Sequence, residues 1–204
     1  MKTALIFDTE TTGFPMWSER SNNKDQPHIV QLAAELVQID TGRILSSMNF
    51  ICKPAGWVIP LSTIDIHGID NYLANDVGIS EGEAVSIMLN MLMDDTLIVA
   101  HNAQFDKRIV RIALSRFFDS QEVTKFCERE FYCTAQKSKP LCKLPPTPKM
   151  LASSFKNQYK QPKLSEAYKH FTGKELVGAH NAMIDVEACR TVFFALQNMS
   201  KEVF

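Results

Sequence analysis

Thr3–Asp8 (T-A-L-I-F-D) is apolar almost throughout, a pattern that predicts a buried strand. The polar stretch from Trp17 to Pro27 predicts a loop. Ile29–Ile39 and Ile44–Lys53 predict two further strands joined by the turn Asp40-Thr41-Gly42, so the first three strands form an antiparallel meander. Ser80 and Glu83 make a capping-box pattern at the head of a helix running to Met93. Thr96–Ala100 predicts a short strand, Ala103–Phe118 a helix by its periodicity, and Phe126–Cys133 the last strand. Five of the nine prolines (140, 145, 146, 148 and 162) fall between Lys137 and Pro162, which predicts an irregular, partly mobile excursion. Leu164–Phe171 predicts a short helix stopped near Gly173, and Asn181–Met199 the closing helix. Strands early and helices interleaved later give an α/β class, one mixed sheet with helices packed on it. No repeat, low-complexity tract or linker divides the chain, so residues 1–204 are expected to form a single domain.

Composition supports a proper core: 45% of the 204 residues are hydrophobic and 22% charged, close to average globular usage. No apolar run approaches the roughly 20 residues needed to cross a bilayer. Met1-Lys2-Thr3 leads straight into the first strand with no secretory signal, so a cytoplasmic protein without a membrane partner is expected. The five cysteines are irregularly spaced and include no C-x-x-C pair, which argues for free thiols and against a zinc ribbon.

Charge changes the picture through its distribution. The net charge is only −1, yet Tyr132 to Lys174 holds nine lysines against the single acid Glu166. That segment is +8, which leaves −9 for the rest of the chain. Such asymmetry suits an enzyme that grips phosphates in one region and gathers carboxylates around metals in another. A solvated lysine-rich loop is the plainer alternative.

The carboxylates sit where apolar side chains are expected. Asp8 and Glu10 are two apart at the end of the first strand, so both share the face of Ile6 and continue a buried row. Burying two unpaired carboxylates together costs several kcal/mol or neutralises them through a pKa shift. A solvent-exposed strand end is the alternative. Asp106 precedes Val110, Ala113 and Phe117 at i+4, i+7 and i+11, and Asp185 precedes Cys189, Val192 and Leu196 in the same way. Each acid therefore opens a core-facing stripe, although a first-turn acid can also serve only the helix dipole. If the four converge, their charge of −4 balances two Mg²⁺ or Mn²⁺, and oxygen-only ligation suits such hard cations. Two such ions stabilise the attacking and leaving oxygens when a phosphodiester is cut. His180, five residues before Asp185, is of the residue type that takes a proton from an attacking water near neutrality. A capping or core histidine is the alternative.

Three segments carry a family pattern. Phe7-Asp8-Thr9-Glu10-Thr11-Thr12-Gly13, His101-Asn102-Ala103-Gln104-Phe105-Asp106 and His180-x4-Asp185 resemble, in order, the three motifs of the DEDDh 3′–5′ exonucleases. The resemblance spans nearly the whole chain and implies a ribonuclease-H-like fold, with a mixed five-stranded sheet flanked by helices. It implies two divalent cations, with Asp8 bridging both, Glu10 and Asp185 holding the nucleophile-side ion and Asp106 the second. His180 matches the general base. The resemblance also implies nucleotide-binding roles for Thr9 and Thr11, the latter at a position that contacts the 3′-terminal nucleotide. Ile66-His67-Gly68-Ile69 resembles the H-G-I element that lines the pocket for that nucleotide. The first motif is closer to the DNA-directed epsilon branch than to oligoribonuclease-like members.

DNA 3′ ends, single-stranded or frayed, are therefore the expected substrate, with repair or proofreading as the setting. An RNA-trimming enzyme of the same fold is the nearest rival, because ribose discrimination comes from contacts around the 2′ position. A non-catalytic nucleic-acid-binding module would have lost at least one acid, and none is missing. The epsilon branch docks its polymerase through a C-terminal tail; the chain ends soon after its last helix, so a freestanding exonuclease is expected. Phe14, Trp17, Trp57 and Tyr159 are available to stack on bases, Trp17 and Trp57 foremost.

Overall fold

The computed structural model describes residues 1–201. Its sheet comprises β1 (Thr3–Thr11), β2 (Ile29–Gln38), β3 (Ile44–Ile51), β4 (Leu97–Ala100) and β5 (Phe131–Cys133), in the order β3-β2-β1-β4-β5. β1, β2 and β3 pair antiparallel, whereas β4 joins β1, and β5 joins β4, in parallel. This is the mixed five-stranded sheet that the motifs implied.

Strand alternation assigns each face. Leu5 and Phe7 point into a core closed by α3 (Glu81–Asn90), α4 (Ala103–Phe117) and α5 (Ser120–Glu128). Ala4 and Ile6 point to the other face, under Val186, Cys189 and Phe193 of α9 (Ala182–Lys201). Burying a side chain such as Phe7 is worth about 1.5–3 kcal/mol, so a one-residue register slip would be costly. α6 (Thr134–Cys142) and α8 (Leu164–Thr172) pack against α9 and extend the second layer. Glu35 and Arg190 tie β2 to α9, with Nε donating to Oε2 at 2.6 Å. No helix among the described residues is long and apolar enough to cross a membrane, and all five cysteines are unbridged.

Three regions depart from the sequence expectation. The strand expected over 126–133 is shorter: Ser120–Glu128 is helical, started by Asp119, whose carboxylate accepts from the backbone N–H groups of Gln121 and Glu122. Phe126 is buried from that helix, edge-on to Phe131 with ring centroids 5.4 Å apart, and only Phe131–Cys133 pairs with β4. Between Lys137 and Pro162, the proline-rich excursion holds most of α6 and the single turn α7 (Pro148–Leu151), where Pro148 sits at the first helical position and Thr147 caps. The unassigned stretch after β3 forms α1 (Leu61–His67) and α2 (Asn71–Val77), which cover Val30 with Ile59, Ile69 and Ala74. Both are too short to display a helical period.

The polar loop 12–28 is pinned. Arg108 donates to Ser21 Oγ at 2.9 Å and to the carbonyl of Glu19, and Arg116 donates to the carbonyl of Gln26. The Gln26 side chain closes the loop internally through both the N–H and the carbonyl of Met16, each at 3.0 Å. Buried Glu81 holds its exit, accepting from the Ile29 N–H at 3.0 Å and pairing with His28 and Arg116.

Candidate active site

β1 delivers two carboxylates to the C-terminal edge of the sheet. Asp8 and Glu10 share the α9 face with Ile6, as alternation requires, and Thr9 points the opposite way, toward α4. Thr9 is buried there and donates its hydroxyl to Asp106 Oδ1 at 2.8 Å. Asp106 and Asp185, in the first turns of α4 and α9, complete the set from the two helix layers. Asp8, Glu10, Asp106, Asp185 and His180 all line one cleft of about 350 Å³.

Both acid-bearing helices are entered through a left-handed residue that is not glycine: Asn102 at φ 68° before α4 and His180 at φ 69° before α9. Such backbone is disfavoured by Cβ sterics and persists where surroundings over-determine it. At Asn102 the neighbouring His101 is the anchor, its Nε2–H donating to the Pro162 carbonyl at 3.0 Å and its Nδ1 bonded to the Thr134 hydroxyl at 2.9 Å. Burial pushes His101 down to about 4, so it is a neutral latch between β4 and the segment leading into α8. At His180 the backbone N–H donates to Asp185 Oδ2 at 2.9 Å, so the turn itself orients the acid. Gln31 on β2 adds to the same helix start, accepting from the Ala182 N–H at 3.1 Å.

The stripe expected on α9 is buried at Asp185, Cys189, Val192 and Leu196. On α4 it holds for Asp106, Val110 and Ala113, but Phe117 is half exposed and lies across Gly82 of α3. The aromatics also redistribute. Phe14 lines the cleft, edge-on to Phe105 with centroids 6.0 Å apart, while Trp57 lies outside it, stacked on His28 at 4.5 Å. Trp17 and Tyr159 are exposed and neither lines the acidic cleft.

Among the described residues, no lysine or arginine lines the cleft. Burial, then the carboxylates of Asp106, Asp185 and Glu10, hold Asp8 well above the usual carboxylate range. Burial and the same two aspartates push Glu10 up to about 7. Burial likewise takes Asp106 to about 7, against the opposing hydrogen bond from Thr9, and raises Asp185 against the His180 N–H. Among the described residues, no ion pair joins any of the four to a lysine or arginine. Oxygen donors gathered in this way fit a hard divalent cation, which would offset the cost of burying their charge together. One oxygen each from Glu10 and Asp185 and one His180 ring nitrogen lie within 4.8 Å of one another, so the ring stands at the Glu10–Asp185 side of the cleft.

His67 enters from α1, an element with no sequence signal beyond the H-G dipeptide. Gly68 ends the helix in the left-handed region at φ 74°, which lets the Ile69 N–H turn back onto His67 Nδ1 at 3.1 Å. The ring proton is thereby fixed on Nε2, which is buried and has no partner among the described residues. Burial and the nearby His180 lower the pKa of His67, so it presents a neutral N–H donor in the cleft lining. Thr11 also lines the cleft, its hydroxyl donating to the Gly13 carbonyl at 2.8 Å.

The family model described as Exonuclease (RNase_T) matches residues 5–193. No curated protein sequence matches the chain. Escherichia coli exonuclease I in complex with a dT13 oligonucleotide is similar in structure, with a TM-score of 0.76 and 20% identity over 100% of this chain and 43% of that one. A zinc-ion-bound form of the same protein with single-stranded DNA gives 0.73 and 20%, over 100% and 42%. Another exonuclease I structure gives 0.73 and 24%, over 97% and 41%. The likenesses show a shared fold, the mixed sheet flanked by helices, and the chain spans about two-fifths of the length of those structures.

Proposed function

Because the chain belongs to the exonuclease family across residues 5–193, we propose that it hydrolyses phosphodiester bonds from the 3′ end of DNA, releasing nucleoside monophosphates one at a time. In this reading it is a DEDDh member, and residues 1–204 act as one exonuclease domain. The observation that carries it is the convergence of four carboxylates from three elements beside a histidine, none of the four ion-paired among the described residues. Two of the exonuclease I structures similar to it hold a dT13 oligonucleotide and single-stranded DNA, which favours the same substrate class here.

Asp8, Glu10, Asp106 and Asp185 would hold two divalent cations, Mg²⁺ or Mn²⁺. Bound there, the ions supply Lewis-acid stabilisation of charge on the attacking and leaving oxygens. His180 takes a proton from the attacking water at its ring nitrogen; its exposure leaves the ring free to deliver that proton to solvent. Thr9 acts as a positioning residue through Asp106, and Gln31 does so through the start of α9. His67 Nε2–H supplies a donor for the terminal nucleotide, which also gives a buried orphan N–H its partner. Thr11 holds the Gly13 bend beside that nucleotide, and the exposed Phe14 ring offers a surface for a base to stack on.

Single-stranded DNA and RNA of one sequence, each 5′-labelled and incubated with Mg²⁺, test the reading. A ladder shortening from the DNA 3′ end, lost in Asp8→Ala, is the expected result. Degradation of RNA alone would overturn the substrate, and unchanged cleavage by the variant would overturn the site.

A further inference from the structure

The other side of α4 holds a second cleft that the hydrolysis does not use. Arg20 from the loop 12–28 and Arg108 and Arg111 from α4 line a space of about 620 Å³, with hydroxyls such as Ser18 and Thr124 around them and Glu19 as the one carboxylate. At 3.6 residues per turn, Arg111 lies about 140° around the helix from Asp106, so the two clefts open in different directions. Arg108 is the fixed member, bonded to Ser21 and to the Glu19 carbonyl, and its Nε–H is buried without a partner among the described residues. Arg20 and Arg111 are exposed, and among the described residues their guanidinium groups make no hydrogen bond or ion pair. Clustered like charge of this kind mirrors the carboxylates: it is relieved by a ligand of opposite sign.

We propose that this arginine cleft binds phosphodiesters of the substrate strand upstream of the 3′ end seated in the acidic cleft. The inference rests on the exonuclease reading, which puts the 3′ end there. Guanidinium groups match phosphate oxygens in paired N–H contacts, and serine and threonine hydroxyls add donors without reading sequence. The pinned loop supplies the route. Gly13 and Phe14 line the acidic cleft and residues 18–22 line the arginine cleft, so a strand that follows this loop passes from one to the other. The cleft has room for more than one phosphate.

The test measures binding to an Asp8→Asn chain, which prevents turnover, with and without Arg20→Ala and Arg111→Ala together. Two probes are used, a 20-nucleotide single strand and a dinucleotide whose one phosphodiester is the scissile one. The double substitution should raise Kd for the 20-mer about tenfold and lower its dependence on salt by about two counter-ions. Dinucleotide affinity should not follow. Arg20→Lys with Arg111→Lys, which keeps the charge, should restore most of the salt slope, and an unchanged melting temperature excludes a folding defect. An unchanged Kd and slope for the 20-mer would overturn the proposal, as would equal weakening of the dinucleotide. Failure of the exonuclease reading itself shows separately, as absent hydrolysis by the unsubstituted chain.

Discussion

One side of α4 presents Asp106 to three further carboxylates, and the other presents Arg108 and Arg111 to Arg20. Both clusters carry unbalanced charge, but they carry it in different solvents. Asp106 and Asp185 are buried and Asp8 and Glu10 partly so, and burial with mutual repulsion holds the protons of Asp8, Glu10 and Asp106 well above the usual range. Arg20 and Arg111 stand in water, where high dielectric and salt make the same repulsion cheap. The buried cluster can therefore do chemistry but demands a tightly held counter-ion, whereas the exposed one suits loose, exchangeable contact with a chain that must advance after each cut.

Experiments can break or sharpen that contrast. The largest effect belongs to the acids: Asp8→Ala should lower kcat on the order of 10³-fold, the scale of losing a group that stabilises transition-state charge. A rate within tenfold of the unsubstituted enzyme would mean the acidic side carries no catalysis. His180→Ala should follow, with kcat down about 10²-fold or more, the usual contribution of a general base, while DNA binding and the Mg²⁺ requirement stay as they were. A parallel loss of Mg²⁺ affinity would make His180 a ligand instead. Thr9→Val deletes the donor to Asp106, and the Mg²⁺ concentration for half-maximal rate should rise about tenfold or more. An unchanged Mg²⁺ titration would leave Thr9 as core packing alone.

A smaller effect should appear in stability. Without cation, folded Glu10 and Asp106 keep their protons up to about pH 7, whereas the unfolded chain releases them near 4.5 and 3.8. The folded state binds more protons across that window, so stability is highest below it and falls as pH rises through it to about 7. Melting temperatures in chelator should therefore drop between about pH 5 and about pH 8. Mg²⁺ should raise them more at the alkaline end, because binding needs ionised carboxylates. A flat profile in chelator would show that the acids are better solvated than their burial implies. The arginine side should contribute least to the chemical step and show mainly in the salt dependence of long-strand binding.

Much of the acidic side was legible in the chain itself. The two-residue spacing of Asp8 and Glu10 dictated a shared face, and the stripes behind Asp106 and Asp185 dictated inward-facing acids, because strand and helix periods are local geometry. The Ser80–Glu83 capping box formed as its pattern predicts, both halves satisfied. What misled was also local: Phe126 and Cys127 look like the start of a strand, but the Asp119 cap recruited them into a helix. In the lysine-rich segment, three of the nine lysines, Lys139, Lys160 and Lys169, are engaged with Gln158, Glu166 and Glu175.

The sequence by itself thus determined the strand and helix faces, the sign of the site's charge and the identity of the five residues that meet there. Tertiary structure alone decided that Thr9 serves Asp106, that Gln31 holds the start of α9, and that His67 arrives with its proton on Nε2. It also brought Arg20 beside Arg108 and Arg111, residues with no motif between them. The physical reason is range. Periodicity encodes which way a side chain points within its own element. Hydrogen-bond partners far along the chain, such as Asp106 for Thr9 and Ala182 for Gln31, exist only once the sheet has set its register.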